Sequence, residues 1–169
     1  MEGTMSKVLE DLIAAFAGES QASSKYMAYA RKADEEGYPQ AAKLFRAAAK
    51  AELIHAQNHL RAMEKVLSTA ENLQDAINGE NYEVVTMYPP FIADAEAEGA
   101  KRAKTSFNWA WQVEKVHEEL FRGELATLDQ ERESYDYYVC PVCGHTHPRC
   151  APDRCPVCGA PGSRFEKIS

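Results

Sequence analysis

No stretch of the 169-residue sequence approaches the roughly 20 consecutive apolar residues of a membrane-spanning helix. Positive charge is also short, with 19 Lys and Arg against 26 Asp and Glu and a net charge of −7. No cationic surface is expected for a phosphate backbone or anionic lipid, so neither nucleic acid nor a membrane is expected as a partner. Met1–Glu10 lacks the basic and then apolar pattern of a secretory leader, and a cytoplasmic location is expected. Between Lys7 and Ser134 there are only three prolines, Pro39, Pro89 and Pro90, and no cysteine. A disulfide framework is thereby excluded from that region, and little in it interrupts a helix.

What fills that region is Ala, Glu, Lys, Leu and Gln, all strong helix formers. The punctuation predicts one helix from Lys7 to Glu36, stopped by Gly37, and a second opened by Pro39 and reaching about Leu67. Ser68–Gly79 is expected as a connection with room for a helical turn, followed by a third helix from Glu80 to Glu98, kinked at Pro89-Pro90. Gly99 ends it, and a fourth runs to about Glu133. Four long rods joined by two short turns and one crossover describe an all-α four-helix bundle. From Tyr135 onward the composition changes: five of the eight prolines and all five cysteines lie there. The expected organisation is a helical domain over residues 1–134 and a small cysteine domain over 135–169.

The helical part repeats itself. An offset of 62 positions superposes Glu36-Gly37 on Glu98-Gly99, Phe45 on Phe107, Glu52 on Glu114 and His55 on His117. Each copy thus carries a Glu-x-x-His pair, Glu52/His55 and Glu114/His117, and residues three apart on a helix project from one face and can grip one metal ion. Each leading helix adds an acid at similar depth, Glu19 and Glu83. Four carboxylates and two imidazoles converging in a bundle are the ligand set of a ferritin-like di-iron or di-manganese site, the general example for this architecture. Without cations such a cluster of buried acids would be costly. His59, one turn beyond His55, is expected to stay outside the set, and Glu80 to be a solvated acid in the first turn of its helix.

In the tail, Cys140-Pro141-Val142-Cys143-Gly144 and Cys155-Pro156-Val157-Cys158-Gly159 are two copies of one knuckle. Each presents two thiolates to a tetrahedral ion, and spacing alone leaves zinc and iron both open. Cys150 is left over as an unligated thiol.

With both sites assembled, the sequence resembles the rubrerythrins, ferritin-like di-iron bundles followed by a rubredoxin-like domain. The resemblance rests on Phe16-Ala17-Gly18-Glu19-Ser20-Gln21-Ala22, the two Glu-x-x-His pairs, Gly79-Glu80-Asn81-Tyr82-Glu83, Met87-Tyr88-Pro89 and the two cysteine knuckles. It implies a cytoplasmic non-haem peroxidase acting in oxidative-stress defence. Two irons would reduce hydrogen peroxide to water with electrons entering through an iron held by Cys140, Cys143, Cys155 and Cys158, which shifts the tail from zinc toward iron.

By the same resemblance Glu52 and Glu114 would bridge the irons, Glu19 and Glu83 would terminate them, and His55 and His117 would complete the set. Tyr26 would hydrogen-bond a ligand carboxylate, whereas Trp109 and Trp111 are expected simply to pack. Rubredoxin or an NAD(P)H-dependent reductase would supply electrons. A homodimer or higher homo-oligomer is implied, the cysteine domain of one chain serving its neighbour. The family also has a glutamate three residues after its terminal one, exchanging with the first histidine; counted from Glu83 that position is Thr86, so His55 is expected to stay fixed. The rival readings this raises are an oxygen-dependent iron oxidase on the same site and a non-enzymatic zinc-ribbon module.

Overall fold

The computed structural model describes residues 6–169; Met1–Met5, half of the segment inspected for a leader, lie outside the described residues. The chain forms two compact units, one ending at Leu67 and the other beginning at Ser68.

The first unit is a helical hairpin of α1 (Lys7–Glu35) and α2 (Pro39–Ala62). Ser6 caps α1, its hydroxyl accepting from the Leu9 N–H. Buried Ala42, Ala49 and Ala56 recur every seven residues along α2, and Ala30 and Ala33 are buried on α1. Small side chains in such a stripe let the two backbones approach closely, and Ser23 Oγ reaches across to the Ala49 carbonyl at 2.9 Å. Gly37 makes the turn at φ 79°, donating to Asp34 O while Tyr38 donates to Ala33 O. That pair of bonds is a Schellman cap, and the left-handed residue it needs explains the glycine.

The second unit opens with α3 (Thr69–Tyr82), continues without a break through a π-helical turn (Glu83–Met87) into α4 (Tyr88–Ala97), and returns through α5 (Lys101–Ala126). The expected connection over Ser68–Gly79 is therefore helix. Ser68 and Glu71 form a capping box, each satisfying the other's backbone N–H, which starts the helix eleven residues before Glu80. Gly99, at φ 66°, repeats the Gly37 cap bond for bond: Gly99 donates to Glu96 O and Ala100 to Ala95 O.

The π turn replaces the expected proline kink. Pro89 and Pro90 have no N–H to give the carbonyls of Val85 and Thr86, so an α-helical ladder fails there in any case. The Tyr88 N–H bonds Glu83 O instead, and the Val84 carbonyl takes the Trp111 indole N–H at 2.9 Å. Two ends also fall short of expectation. The second helix stops at Ala62 because Glu64 adopts φ 54° and closes a Schellman cap, and α5 stops at Ala126, beyond which Arg132 folds back onto Glu124.

The tail is a three-stranded antiparallel sheet in the order β2-β1-β3, with β1 Tyr137–Val139, β2 Thr146–Pro148 and β3 Glu166–Ile168. Its core is Cys140, Cys155 and Ala160, backed by Cys143, Val157, Cys158 and Phe165.

Candidate metal centres

Three groups of side chains, among the described residues, can hold a metal ion. In the tail, the two knuckles are superposable hydrogen-bond for hydrogen-bond: Gly144 N donates to Cys140 O and Gly159 N to Cys155 O, both at 2.9 Å, with the glycines at φ 84° and 76°. They bring the four sulfurs together, Cys140 Sγ to Cys158 Sγ at 3.6 Å and Cys143 Sγ to Cys155 Sγ at 3.5 Å. A tetrahedral ion with bonds of about 2.3 Å has ligand edges of about 3.8 Å, so these separations fit a metal. The thiols are unequal. At Cys140 burial raises the thiol, but the backbone N–H groups of Cys143 and Val142 and the Cys158 thiol outweigh it, lowering the value to about 7. Cys143 and Cys158 are pushed up, first by burial. Four thiolates therefore need a cation. Cys150 is exposed and outside the group.

The first unit brings Glu19, Glu52 and His55 together, each offering a ligand atom within 4.8 Å of the others. His55 Nδ1 lies 3.1 Å from Glu52 Oε2. Glu19 and Glu52 share a hydrogen bond that raises the first carboxyl and lowers the second. His59 is close enough to pull Glu19 down slightly, yet stands outside the group. Tyr26 packs against Tyr29 and Phe45, with ring centroids at 6.3 and 6.2 Å. Among the described residues its hydroxyl meets no carboxylate.

The second unit gathers Glu80, Glu114 and His117, not Glu83. His117 Nδ1 is 2.7 Å from Glu114 Oε2 and 3.9 Å from Glu80 Oε1. Glu80 sits near the C-terminal end of α3, four-fifths buried, and the reading of a solvated first-turn acid is corrected. Burial, and then the charge of Glu114, push its carboxyl up to about 7. Glu83, one turn on, is raised by burial and by the same Glu114 charge. Thr86 is exposed.

The aromatic residues fix the register between the two copies. The centroid distances Tyr26–Phe45 and Tyr29–Phe45 are 6.2 and 5.6 Å, and their counterparts 62 positions on, Tyr88–Phe107 and Phe91–Phe107, are 6.4 and 5.7 Å. Tyr88 therefore corresponds to Tyr26, seven residues after Glu19 but eight after Glu80. A π turn is a one-residue insertion into an α-helix, and the one at Glu83–Met87 absorbs the difference. Glu80 is the counterpart of Glu19, and Glu83 is an additional acid with no partner in the first copy. Counted from Glu80, the glutamate three residues on is Glu83, so the Thr86 departure disappears and with it the premise for a fixed His55. Tyr88 is also the tyrosine beside these acids: burial and then the charges of Glu83, Glu114 and Glu80 raise its hydroxyl.

The acids and histidines fit divalent metal. His117 Nδ1 faces two carboxylates while its Nε2 is taken by the Thr146 hydroxyl at 2.9 Å. Beside them, a cavity of about 580 Å³ within the second unit is lined by Leu73, Glu80, His117, Leu120, Phe121 and Thr146, among others.

A helical chain with paired Glu-x-x-His motifs and a four-thiol knuckle domain defines a ferritin-like di-iron protein with a rubredoxin-like domain. The rubrerythrin family model matches residues 10–125, and the rubrerythrin rubredoxin-like domain matches 138–166. Rubrerythrin-2 of Clostridium acetobutylicum is 33% identical, covering 92% of this chain and 93% of the relative. Nigerythrin of Nitratidesulfovibrio vulgaris is 37% identical over 93% of this chain and 84% of its own. A solved structure of mixed-valence nigerythrin aligns with a TM-score of 0.59 at 35% identity, covering 99% of this chain and 89% of that one. The chain belongs to the rubrerythrin family, and with that come a di-iron carboxylate site and a four-cysteine iron site.

Proposed function

We propose that this protein is a non-haem di-iron peroxidase that reduces hydrogen peroxide to two waters, taking up two protons and two electrons. The observation that carries the reading is the fifth carboxylate, Glu83, one helical turn beyond Glu80 at the start of the π turn and raised by burial and the Glu114 charge. With it the chain has the full set that the family resemblance implies for peroxide chemistry: Glu52 and Glu114 bridging, Glu19 and Glu80 terminal, His55 and His117, and Glu83 to exchange with His55. Iron bound there would supply the two electrons that cleave the O–O bond. The chain's own carboxylates and histidines would orient and neutralise that iron, and the cavity of about 580 Å³ beside Glu80 and His117 would admit peroxide.

Iron held by Cys140, Cys143, Cys155 and Cys158 would supply the electrons, and rubredoxin or an NAD(P)H-dependent reductase would reduce it in turn. The working protein is a cytoplasmic homodimer, with residues 1–134 as the di-iron domain and 135–169 as the electron-entry domain. With Glu83 in place, no observation favours an oxygen-dependent iron oxidase or a zinc-only module.

Anaerobic stopped-flow tests this. The reduced, iron-loaded protein is mixed with hydrogen peroxide or with dioxygen, and the colour of the thiolate-bound iron is followed. Peroxide is expected to restore the ferric colour much faster than dioxygen. Equal rates, or a faster dioxygen reaction, would overturn the reading.

A further inference from the structure

Thr146, the first residue of β2, holds two partners with one hydroxyl. Its Oγ1 donates to the Gly144 carbonyl at 3.2 Å and lies 2.9 Å from His117 Nε2. A hydroxyl has a single proton, so with that proton on Gly144 it meets His117 as an acceptor. The imidazole then carries its own proton on Nε2. Its Nδ1 faces Glu114 Oε2 at 2.7 Å, a hydrogen bond in the metal-free chain. A metal ion held by both groups would displace the proton on Nδ1 and keep the one on Nε2, which is the tautomer a ligating imidazole needs.

The other end of the link is the cysteine knuckle, because Gly144 directly follows Cys143. Gly144 is also seated on α5: a Cβ built there would lie 4.0 Å from Cγ1 of Val113, a buried residue one turn before His117. Knuckle and histidine therefore meet within one chain.

We propose that Thr146 is a positioning residue: it fixes His117 in the Nε2–H tautomer for metal binding and, through Gly144, joins the chain's own four-cysteine iron to the carboxylate site. The proposal rests on the reading of His117 as an iron ligand. In the redox step one electron leaves the cysteine-bound iron, which goes from ferrous to ferric, and a ferric ion of the carboxylate site becomes ferrous. No proton or further reactant enters that step.

The test uses Thr146→Val and Thr146→Ser in the full chain. Valine keeps the shape and suits the strand, where Thr146 pairs with Val139; serine restores the hydroxyl. In zinc-loaded protein, the His117 Nε2–H proton seen by NMR is expected to be protected from solvent exchange in the wild type and in T146S, and lost in T146V. Zinc affinity at the carboxylate site should fall ten- to a hundredfold in T146V, the range for a lost partner of a ligating histidine, and recover in T146S. In iron-loaded protein, oxidation of the cysteine-bound iron by peroxide should slow at least tenfold in T146V and recover in T146S. A T146V protein that keeps the protected proton overturns the proposal, whatever its rate. A wild type inert to peroxide whose Nε2–H proton and zinc affinity still depend on Thr146 supports the positioning role and places the failure in the peroxidase reading.

Discussion

Glu64 holds a left-handed backbone conformation, φ 54°, to end α2. Only glycine adopts that region without a steric cost of about 1–2 kcal/mol, and the flanking bonds, Glu64 N to Arg61 O and Lys65 N to Leu60 O, hold the residue there. Glu64→Gly should therefore stabilise the protein by about 1 kcal/mol after the greater freedom of glycine in the unfolded chain is subtracted. Thermal or urea unfolding measures it, and no gain would mean that Glu64 is not strained. At the metal, the test case is Glu80 against Thr86. Removing the Glu80 carboxylate takes a ligand from the triad and leaves Glu114 and His117, so Glu80→Ala should weaken zinc at that site at least tenfold. Thr86→Ala should leave it unchanged, because Thr86 is exposed. Metal titration of the two variants decides between the two alignments of this helix.

At the scale of the element, what could be read from sequence was whatever kept the 62-residue register. The caps at Gly37 and Gly99 and the ligands Glu52, His55, Glu114 and His117 all kept it, because each depends on spacing within a single helix or on one left-handed residue. Glu80 did not, since the π turn inserts one residue between it and Tyr88, and a fixed offset carries Glu19 to Asn81. The Ser68–Glu71 capping box was visible as a motif and would have placed the start of α3 correctly. Thr146 left no signal, because its role depends on where β2 lies against α5. The π turn itself rests on a tertiary bond, Trp111 Nε1 to Val84 O. Trp111→Phe keeps the ring and removes the donor, leaving a half-buried carbonyl unpaired at a cost of about 1–3 kcal/mol. If the turn then relaxes, Glu83 loses its place, so the variant should also bind zinc more weakly; a stable variant with native affinity would show that the prolines alone make the turn.

For the molecule as a whole, the metal-free acids tie stability to pH. Glu80 unfolded titrates at its ordinary 4.5, and folded at about 7, raised by burial first and then by Glu114. A folded value above the unfolded one means that the folded chain holds that proton more tightly. The associated stability is fully present below 4.5 and is lost as the pH rises through about 7. Glu83 moves in the same direction through burial, and His117, raised by its hydrogen bond to Glu114, likewise loses stability as the pH rises through its folded value. Glu52 is lowered and acts oppositely, but its effect falls below its ordinary 4.5 and so at the acid end. The metal-free protein should therefore be less stable at pH 8 than at pH 5, and Glu80→Gln should flatten that decline. Metal reverses the trend, because a cation takes the place of the proton and binds best once the acids are ionised. Unfolding curves at the two pH values, with chelator and with zinc, measure both slopes. A metal-free protein equally stable at pH 5 and 8 would mean that Glu80 is not held among acids in the folded chain, and the second triad would lose its physical basis.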